Sequence, residues 1–303
     1  MRTRPREVRV TEPSKKELLV YIDGKFVPES HATVSVFDHG LLYGDGIFEG
    51  IAVYGAKAFM LDHHLDRLFR SAETIGLQLP LSKNGFAHAV KQTVAMNELV
   101  SGYVRPIVTR GRGPLGLNPA LCKRPTVVII PQRVEDYPLM NIRRPGKAIV
   151  SRFRRNPPYS LPASAKTLNY INNILAKLEA NAAGVDEAVM LDWQGNLSEG
   201  TGDNVFLVRG GDVLTPTIDN SILPGITRLV VFKLCARHGI SCREVPLTKE
   251  DLYSAEEAFL TSTSLEIQPL VEVDGSRIGS GKEGPVTRRL RVYFEKLKKS
   301  GVV

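Results

Sequence analysis

The lysine at position 166 has the sequence context of a chemical reagent. It lies among small residues in the stretch 163–173, ASAKTLNYINN, just ahead of a segment with apolar residues at helical spacing. An amine in a partly desolvated pocket loses some of the stability of its protonated form, and the neutral amine can condense with an aldehyde as a Schiff base. A lone lysine more often extends over the surface with its charge in water. The hypothesis therefore depends on partners elsewhere in the chain.

One carboxylate and two hydroxyl-rich turns could be those partners. Glu199 lies in SEGTGDN, where it could keep a heterocyclic nitrogen protonated; the alternative is a solvated acid in a turn. Residues 223–227, LPGIT, precede a predicted helix whose free N–H groups and dipole favour an anion, and residues 261–264, TSTS, follow a predicted strand. Each turn alone is more often a helix cap or a polar loop. Together with Lys166 they meet the needs of a molecule with an aldehyde, a pyridine ring and a phosphate.

Other kinds of chemistry find less support in the chain. Residues 111–116, GRGPLG, match the dinucleotide pattern GxGxxG, but Pro114 and the following LNPALCKRP predict a loop instead of the helix that this pattern should open. The six histidines show no metal-ligand spacing, so we expect no metal. Neither a GxSxG elbow nor a Cys/His pair is recognisable.

Composition limits the class of protein. Of the 303 residues, 43% are hydrophobic and 24% charged, which is typical of a globular protein, and the length predicts two domains. The net charge of +8 is scattered, and its small concentrations, such as Arg152, Arg154 and Arg155, are predicted to be solvated surface. A nucleic-acid footprint would need a continuous basic stripe, so we expect no nucleic acid as partner, although a basic pocket for small anions stays open.

The cysteines, the N-terminal segment and the lengths of the apolar runs indicate where in the cell the protein is expected. The three cysteines show no CxxC spacing and are predicted to be free thiols in a reducing cytosol. The N-terminal segment has no apolar core typical of a signal peptide, and no apolar run approaches the length that spans a membrane. These features predict a cytoplasmic protein without a membrane partner.

The order of elements predicts an α/β (α+β) fold in two domains. Residues 1–17 form a loose polar arm, residues 18–132 a small α/β domain, residues 133–146 an interdomain linker, and residues 147–303 a larger α/β domain. The small domain should open with a hairpin, LLVYI-DG-KFVPE, because Asp-Gly supplies the positive φ angles of a tight turn. A strand VSVFD, a glycine-rich turn HGLLYGDG and two amphipathic helices should follow.

The limits and faces of three helices follow from particular residues. The second helix of the small domain should begin after Ser82 as its N-cap. The helix after Lys166 should have an apolar face made of Ile171, Ile174, Leu175 and Leu178. The helix after LPGIT should end at Gly239 as its C-cap.

The chain resembles a known family in the order and spacing of its motifs. Five motifs occur in the order and spacing of fold type IV pyridoxal-phosphate enzymes: LDHHLDRLFRSA, SAKTLNYINNILAKLEA, LSEGTGDNVFLV, LPGITR and EAFLTSTSLEIQP. Within that class, FDHGLLYGDGIFEGI and GYVRPIVTRGRGPLGLNP are similar to branched-chain amino acid aminotransferases. The resemblance covers about residues 18–297. It implies the two-domain fold of that class and pyridoxal 5′-phosphate as cofactor.

The resemblance also implies a role for each matching residue. Lys166 would bond covalently to the cofactor aldehyde, with Tyr170 on the ring hydroxyl oxygen and Glu199 on the ring nitrogen. The cofactor phosphate would be bound by Arg67, Ile226, Thr227 and Thr263. The substrate would be bound by Tyr43, Phe48, Tyr103, Arg105, Thr263 and Ser264. The loop around Leu115 and Leu117 resembles one that reaches into the neighbouring subunit's site, which implies a homodimer or a larger homo-oligomer.

The activity implied is the transfer of an amino group between branched-chain L-amino acids and 2-oxoglutarate by double displacement. Two departures leave alternatives open: Ala52 stands where many branched-chain members have arginine, and TSTS is closer to D-amino acid aminotransferases. A D-amino acid or (R)-amine transaminase on the same fold is therefore an alternative, and a lyase acting on aminodeoxychorismate is a more distant one. A catalytically silent protein that binds anions or nucleic acid is the alternative from another class.

Overall fold

The computed structural model describes residues 17–137, 140, 142, 144–219 and 221–300. The predicted arm, residues 1–17, lies outside the described residues except for Glu17. Within the described residues the chain forms two sheets and seven α-helices, which confirms the mixed α/β class. None of the helices found there is both long enough and apolar enough to cross a membrane.

The first sheet contains seven strands from the N-terminal half of the chain. They are β1 (Leu19–Ile22), β2 (Lys25–Pro28), β3 (Gly46–Phe48), β4 (Ile51–Tyr54), β5 (Lys57–Ala58), β6 (Ser101–Thr109) and β7 (Thr126–Arg133). Their order is β2-β1-β7-β6-β4-β5, and β3 also pairs with β6. The predicted hairpin is confirmed: β1 and β2 are antiparallel, and Asp23 and Gly24 between them have φ angles of 47° and 93°.

Three helices accompany this sheet, α1 (His39–Tyr43), α2 (Leu61–Thr74) and α3 (Lys83–Met96). Leu65, Leu68 and Phe86 of α2 and α3 join one hydrophobic core with residues of the sheet, because both helices have an apolar stripe at helical spacing. Ser82 caps α3 as predicted, since its hydroxyl accepts a hydrogen bond from the Gly85 N–H at 3.2 Å.

The second sheet contains eight strands from the C-terminal half. They are β8 (Gly146–Val150), β9 (Glu187–Val189), β10 (Asn204–Arg209), β11 (Asp212–Thr215), β12 (Cys242–Glu244), β13 (Glu257–Ser262), β14 (Glu266–Val273) and β15 (Ser276–Arg277). Their order is β12-β11-β10-β13-β14-β8-β9, and β15 pairs with β14. The helices of this half are α4 (Ile171–Ala182), α5 (Ile226–Arg237), α6 (Lys249–Tyr253) and α7 (Pro285–Ser300). α5 ends at Arg237 with His238 as its C-cap, so the predicted cap is wrong by one residue; Gly239 follows it in the left-handed region, at φ 65°.

Two local predictions for the small domain are wrong. Residues 34–38, VSVFD, form no strand; Val36 and Phe37 are exposed, and Asp38 instead caps a helix by accepting the Gly40 N–H at 2.8 Å. The segment read as a glycine-rich turn contains that helix, α1, which ends at Gly44 with φ 69°. A capping acid and a left-handed glycine at its two ends fix this short helix.

The apolar face predicted for α4 does not pack against the second sheet. Ile171, Ile174 and Leu178 are exposed, and the helix packs through Ala176 and Ala180 against Ala188 of β9 and Met190, which follows that strand. Small side chains let the helix lie close to the sheet, and the large apolar side chains then point away from it. Ile171, Ile174 and Leu178 form the α4 face.

The two halves meet through specific contacts. The Tyr54 hydroxyl of the first sheet donates to Glu266 Oε1 of the second at 2.7 Å, and the rings of Phe59 and Phe294 lie 5.8 Å apart. Thr167, which follows Lys166, forms a β-bridge with Ile47 of the first sheet. The segment that carries Lys166 thus lies at the junction of the halves, and the domain limits 18–132, 133–146 and 147–303 stay a prediction.

Candidate active site

A cavity of about 470 Å³ lies between the two halves and brings together most of the predicted site. Its lining includes these predicted residues: Phe48, Arg67, Tyr103, Arg105, Lys166, Tyr170, Glu199, Ile226, Thr227, Thr263 and Ser264. Tyr43 does not line it; its hydroxyl accepts the Gly116 N–H at 2.8 Å on the outer surface. The exposed side chains of one surface, the α1 patch, are those of Val36, Leu41, Tyr43, Leu115 and Leu117.

Lys166 is held in the cavity by both of its backbone groups. Its N–H donates to Ser71 Oγ at 2.9 Å, and its carbonyl accepts the Phe48 N–H at 3.0 Å. The side-chain Nζ donates to the Tyr170 hydroxyl at 2.9 Å and lies 4.4 Å from the centre of the Phe48 ring. No carboxylate of the described residues is close enough to form an ion pair with Lys166. The amine is therefore fixed in position and not neutralised by an acid.

Glu199 is buried in the wall of the cavity, where a tight loop joins it to Asn204 at the start of β10. Gly200 is required in this loop because a Cβ there would lie 2.0 Å from Asp203 Oδ1. Glu199 Oε2 accepts the Leu223 N–H at 2.9 Å and the Asn204 side-chain amide at 3.1 Å. Burial raises the pKa of this carboxyl, and Arg155 is the largest influence that opposes the rise.

Sequence reasoning missed the role of Arg155. It belongs to the basic concentration that was predicted to be solvated, and that prediction is wrong for this residue, which is 8% exposed. Its Nη2 lies 3.1 Å from Glu199 Oε1. Asn204 was missed in the same way, because a pattern of residue types does not reveal which side chains meet across the fold.

The beginning of α5 offers free backbone donors to the cavity. Its N-cap is Gly225, with φ −65° and ψ 140° and no side-chain cap, and Ile226 and Thr227 begin the helix. The first N–H groups of a helix have no partner within the helix, and the helix dipole places positive potential beside them. This end of the cavity is therefore suited to an anion.

Arg67 of α2 lies at the same end and is buried. It donates from Nη1 to the Pro224 carbonyl at 2.9 Å, and from Nε and Nη2 to the two oxygens of Glu49 at 2.7 and 2.8 Å. A guanidinium has five N–H donors, so these three bonds to described residues leave two for a ligand. The arginine thus joins the first half of the chain to the loop that begins α5.

Glu49 and His64 form a second layer behind Arg67, which the sequence did not reveal. His64 Nδ1 lies 2.7 Å from Glu49 Oε2, and both side chains are buried. Burial raises the pKa of the Glu49 carboxyl, but Arg67 and His64 outweigh that influence and hold the pKa well below its usual range. The ionised Glu49 fixes the direction of the Arg67 guanidinium.

Tyr103 and Arg105 enter the cavity from β6, where residues two apart point to the same face. Arg105 Nη2 donates to the Tyr103 hydroxyl at 3.3 Å, and its Cζ lies 5.2 Å from the centre of the Phe48 ring. Burial raises the pKa of Tyr103 to about 12, while Arg105 opposes the rise. Arg105 has no carboxylate partner among the described residues, so its charge is available to an anionic substrate.

Two further groups in the wall complete the site. Tyr137, in the segment predicted to be a linker, lines the cavity with its ring 4.9 Å from that of Tyr103. Sequence reasoning missed it because an aromatic residue in a linker gives no periodic signal. Thr261 Oγ1, near the end of β13, is buried in the wall without a hydrogen-bond partner in the described part of the chain.

Comparison with known proteins identifies the family of the chain. The sequence model of the family described as amino-transferase class IV matches residues 46–273. The chain is 47% identical to a provisionally named branched-chain-amino-acid aminotransferase of Methanocaldococcus jannaschii over 280 residues, which are 92% of this chain and 96% of the relative. It is 36% identical to the branched-chain-amino-acid aminotransferase of Escherichia coli K12, covering 93% of each.

The fold of the chain is also similar to that of a solved aminotransferase. The branched-chain amino acid aminotransferase of Thermoproteus uzoniensis, solved with norvaline, superposes with a TM-score of 0.87 at 34% identity, over 94% of this chain and 96% of the other. Identity above 30% over nearly the full length, together with the family match, settles the relationship. The chain belongs to the class IV aminotransferases, and it is a transaminase.

Proposed function

We propose that this transaminase uses pyridoxal 5′-phosphate to move an amino group between branched-chain L-amino acids and 2-oxoglutarate. The observation that carries the proposal is the convergence of Lys166, Glu199 and an anion-binding end on one cavity. The names of the relatives support the branched-chain substrate. Another solved branched-chain amino acid aminotransferase, 34% identical, is complexed with N-(5′-phosphopyridoxyl)-L-glutamate, which supports both the cofactor and glutamate as the second amino acid.

The donor set fits pyridoxal phosphate. Arg67 has two N–H donors with no partner in the described part of the chain, and Ile226 and Thr227 offer backbone N–H groups and a hydroxyl at the same end, as a phosphate requires. The Glu199 carboxylate can accept a hydrogen bond from a protonated ring nitrogen. The Tyr170 hydroxyl, which accepts a hydrogen bond from Lys166 Nζ, can donate one to the ring hydroxyl oxygen. The bound cofactor supplies an aldehyde for covalent attachment and a ring that accepts electrons from substrate carbon.

Each cavity residue then has a defined task. Lys166 Nζ, held by Tyr170 and the Phe48 ring, is the base that moves the proton on the substrate Cα. Glu199, when ionised, accepts a hydrogen bond from a protonated ring nitrogen and stabilises its positive charge. We infer that Arg105 and Tyr103 bind the substrate carboxylate, together with Thr263 and Ser264 just after the end of β13.

The substrate pocket must accept both an apolar and an acidic side chain. Phe48, Tyr103 and Tyr137 provide aromatic walls, and Arg105 provides a charge at their rim. Ala52 does not line the cavity; it is buried in a hydrophobic cluster with Tyr103. None of the relatives reported above is named for D-amino acids or amines, so the D-amino acid or (R)-amine alternative has no specific support.

We infer that the protein assembles as a homodimer. The α1 patch exposes apolar side chains that a lone subunit would leave in water, with Leu115 and Leu117 at 72% and 80% exposure. Asn169 donates from Nδ2 to the Gly44 carbonyl at 2.9 Å and joins this patch to the beginning of the α4 face. A symmetric dimer would cover both surfaces and place Tyr43 near the partner's cavity.

Sedimentation equilibrium tests the proposed dimer. The substitution Leu117→Asp should weaken the dimer, and an unaltered protein that sediments as a monomer would refute the proposal.

The activity is tested by labelling and by substrate choice. Holoenzyme reduced with borohydride and digested should carry the pyridoxyl group on Lys166, and Lys166→Ala should remain folded without transaminating. A label on another residue, or on none, would refute the role of Lys166. L-leucine with 2-oxoglutarate should yield glutamate, whereas turnover of D-leucine or (R)-1-phenylethylamine alone would favour the alternative activity.

A further inference from the structure

Arg155 is the one arginine of its cluster that enters the protein interior. It follows β8, and its backbone N–H donates to the Leu191 carbonyl at 2.9 Å. From there its side chain reaches the first turn of α4 and Glu199. A buried guanidinium is costly unless its donors find partners, so the partners of Arg155 indicate its use.

Those partners fix the plane of the guanidinium. Nη1 donates to Asn173 Oδ1 at 2.8 Å and to Asn172 Oδ1 at 3.1 Å, and Nε donates to the Ser221 carbonyl at 3.4 Å. These acceptors are neutral. The remaining nitrogen, Nη2, lies 3.1 Å from Glu199 Oε1. Glu199 is therefore the group that balances the charge of Arg155.

Glu199 has other charged neighbours, but none of them touches it. Lys166 and Arg67 act on it through space, and Asp203 is an acid whose own pKa is raised by burial and by Glu187. The second oxygen of Glu199 bonds only to neutral donors, the Leu223 N–H and the Asn204 amide. Arg155 is thus the only cation in direct contact with Glu199 among the described residues.

We propose that Arg155 is a positioning residue that keeps Glu199 ionised, so that Glu199 can accept a hydrogen bond from the ring nitrogen of the cofactor. Arg155 has this function only if Glu199 has the role proposed above. A neutral carboxylic acid in the same place would present a donor or a weak acceptor, and it could not balance a protonated ring.

The structure supplies the physical reason. Burial alone raises the pKa of Glu199, and the Arg155 charge opposes that rise more than any other group does. When the charge is removed, the carboxyl should bind its proton at least about tenfold more tightly, which moves its titration upward by about one pH unit or more. The ionised fraction at neutral pH falls accordingly.

The first test follows the carboxyl itself in the full-length apoprotein. Difference infrared spectroscopy detects the carbonyl band of a protonated acid, and the Glu199→Gln variant identifies which band belongs to Glu199. Arg155→Gln should move the midpoint of that band to higher pH by about one unit or more, and Arg155→Lys by less, because the cation is retained. Asn204→Ala is the matched control, since it removes a neutral donor from the other oxygen, and its shift should be smaller than that of Arg155→Gln.

The second test uses the holoenzyme. In Arg155→Gln the acidic limb of the kcat profile should move to higher pH, so that activity recovers as the pH rises, and KM should change less than kcat. A purely structural loss would lower kcat by the same factor at every pH. If Arg155→Gln does not fold, Arg155→Lys still has to show a smaller shift of the same sign.

Failure of this proposal is distinct from failure of the proposed function. A Glu199 midpoint that is unchanged in both Arg155 variants overturns the role of Arg155, even when borohydride labels Lys166. Absence of the label overturns the function without altering the titration of the apoprotein.

Discussion

The substitution Gly225→Ala tests whether the loop that begins α5 and the acid Glu199 are held by one side chain. The backbone of Gly225, φ −65° and ψ 140°, suits alanine, so the change introduces no backbone strain. The added Cβ, however, would lie 2.0 Å from Asn204 Oδ1, and Asn204 has to move. Its amide donates to Glu199 Oε2 at 3.1 Å and to the Leu223 carbonyl at 2.9 Å.

The magnitude follows from those two bonds. A hydrogen bond to a charged group contributes about 1.5–3 kcal/mol and one between neutral groups about 0.5–1.5 kcal/mol, so loss of both costs about 2–4.5 kcal/mol. Because these bonds orient both the phosphate end and the ring-nitrogen end, the loss should fall on the cofactor. We expect pyridoxal phosphate to bind about 30- to 2000-fold more weakly.

The assay is a titration of apoprotein with pyridoxal phosphate, followed by its absorbance, in the unaltered protein and in Gly225→Ala. Gly85→Ala is the matched control, since this glycine lies in α3, and its added Cβ would meet Leu81 Cβ at 3.3 Å. Gly85→Ala should leave the affinity for the cofactor unchanged. A folded Gly225→Ala protein with the affinity of the unaltered protein would contradict the reasoning.

Three other substitutions have defined outcomes. Glu199→Gln should lower kcat more than it lowers cofactor occupancy, because an amide cannot balance a protonated ring; unchanged turnover would remove Glu199 from the mechanism. Gly50→Ala would place a Cβ 1.8 Å from the Tyr103 hydroxyl, so KM for the amino and oxo acids should rise about tenfold, as steady-state kinetics can measure. Glu49→Gln leaves the Arg67 charge unbalanced and should lower the free energy of unfolding by about 3–5 kcal/mol. Since the folded pKa of Glu49 is depressed, that difference should be largest above about pH 5 and should narrow in more acidic urea titrations.

Local signals in the sequence predicted the elements that depend on local chemistry. The β1–β2 turn and the start of α3 follow from Asp23, Gly24 and Ser82, whose effects act within a few residues. The strand predicted at residues 34–38 failed because alternation of apolar residues describes a strand only when a sheet edge receives it. Within the described residues these positions belong to no strand, and the capping preference of Asp38 prevails.

The predicted cavity residues came from motifs, whereas the residues behind them did not. Lys166, Glu199 and Thr227 lie in stretches whose residue types already suggest chemistry. Arg155 and Glu49 have their roles only because the fold buries them beside an opposite charge, and an isolated arginine or glutamate in a sequence carries no sign of burial. The α4 face was predicted as apolar, but its exposure was not, since helical spacing shows that a face is apolar without showing what packs against it.

The hydrogen bond from Arg67 to the Pro224 carbonyl connects the N-terminal and C-terminal halves of the chain, and each half provides only part of the cavity lining. A ligand in the cavity contacts both halves. Its free energy of binding therefore also stabilises the halves against separation. Heating should therefore reveal the difference: loaded protein should melt in one sharp step at a temperature that rises with ligand concentration, and emptied protein should melt earlier and over a broader range. Binding of a ligand in the cavity therefore also stabilises the contact between the two halves.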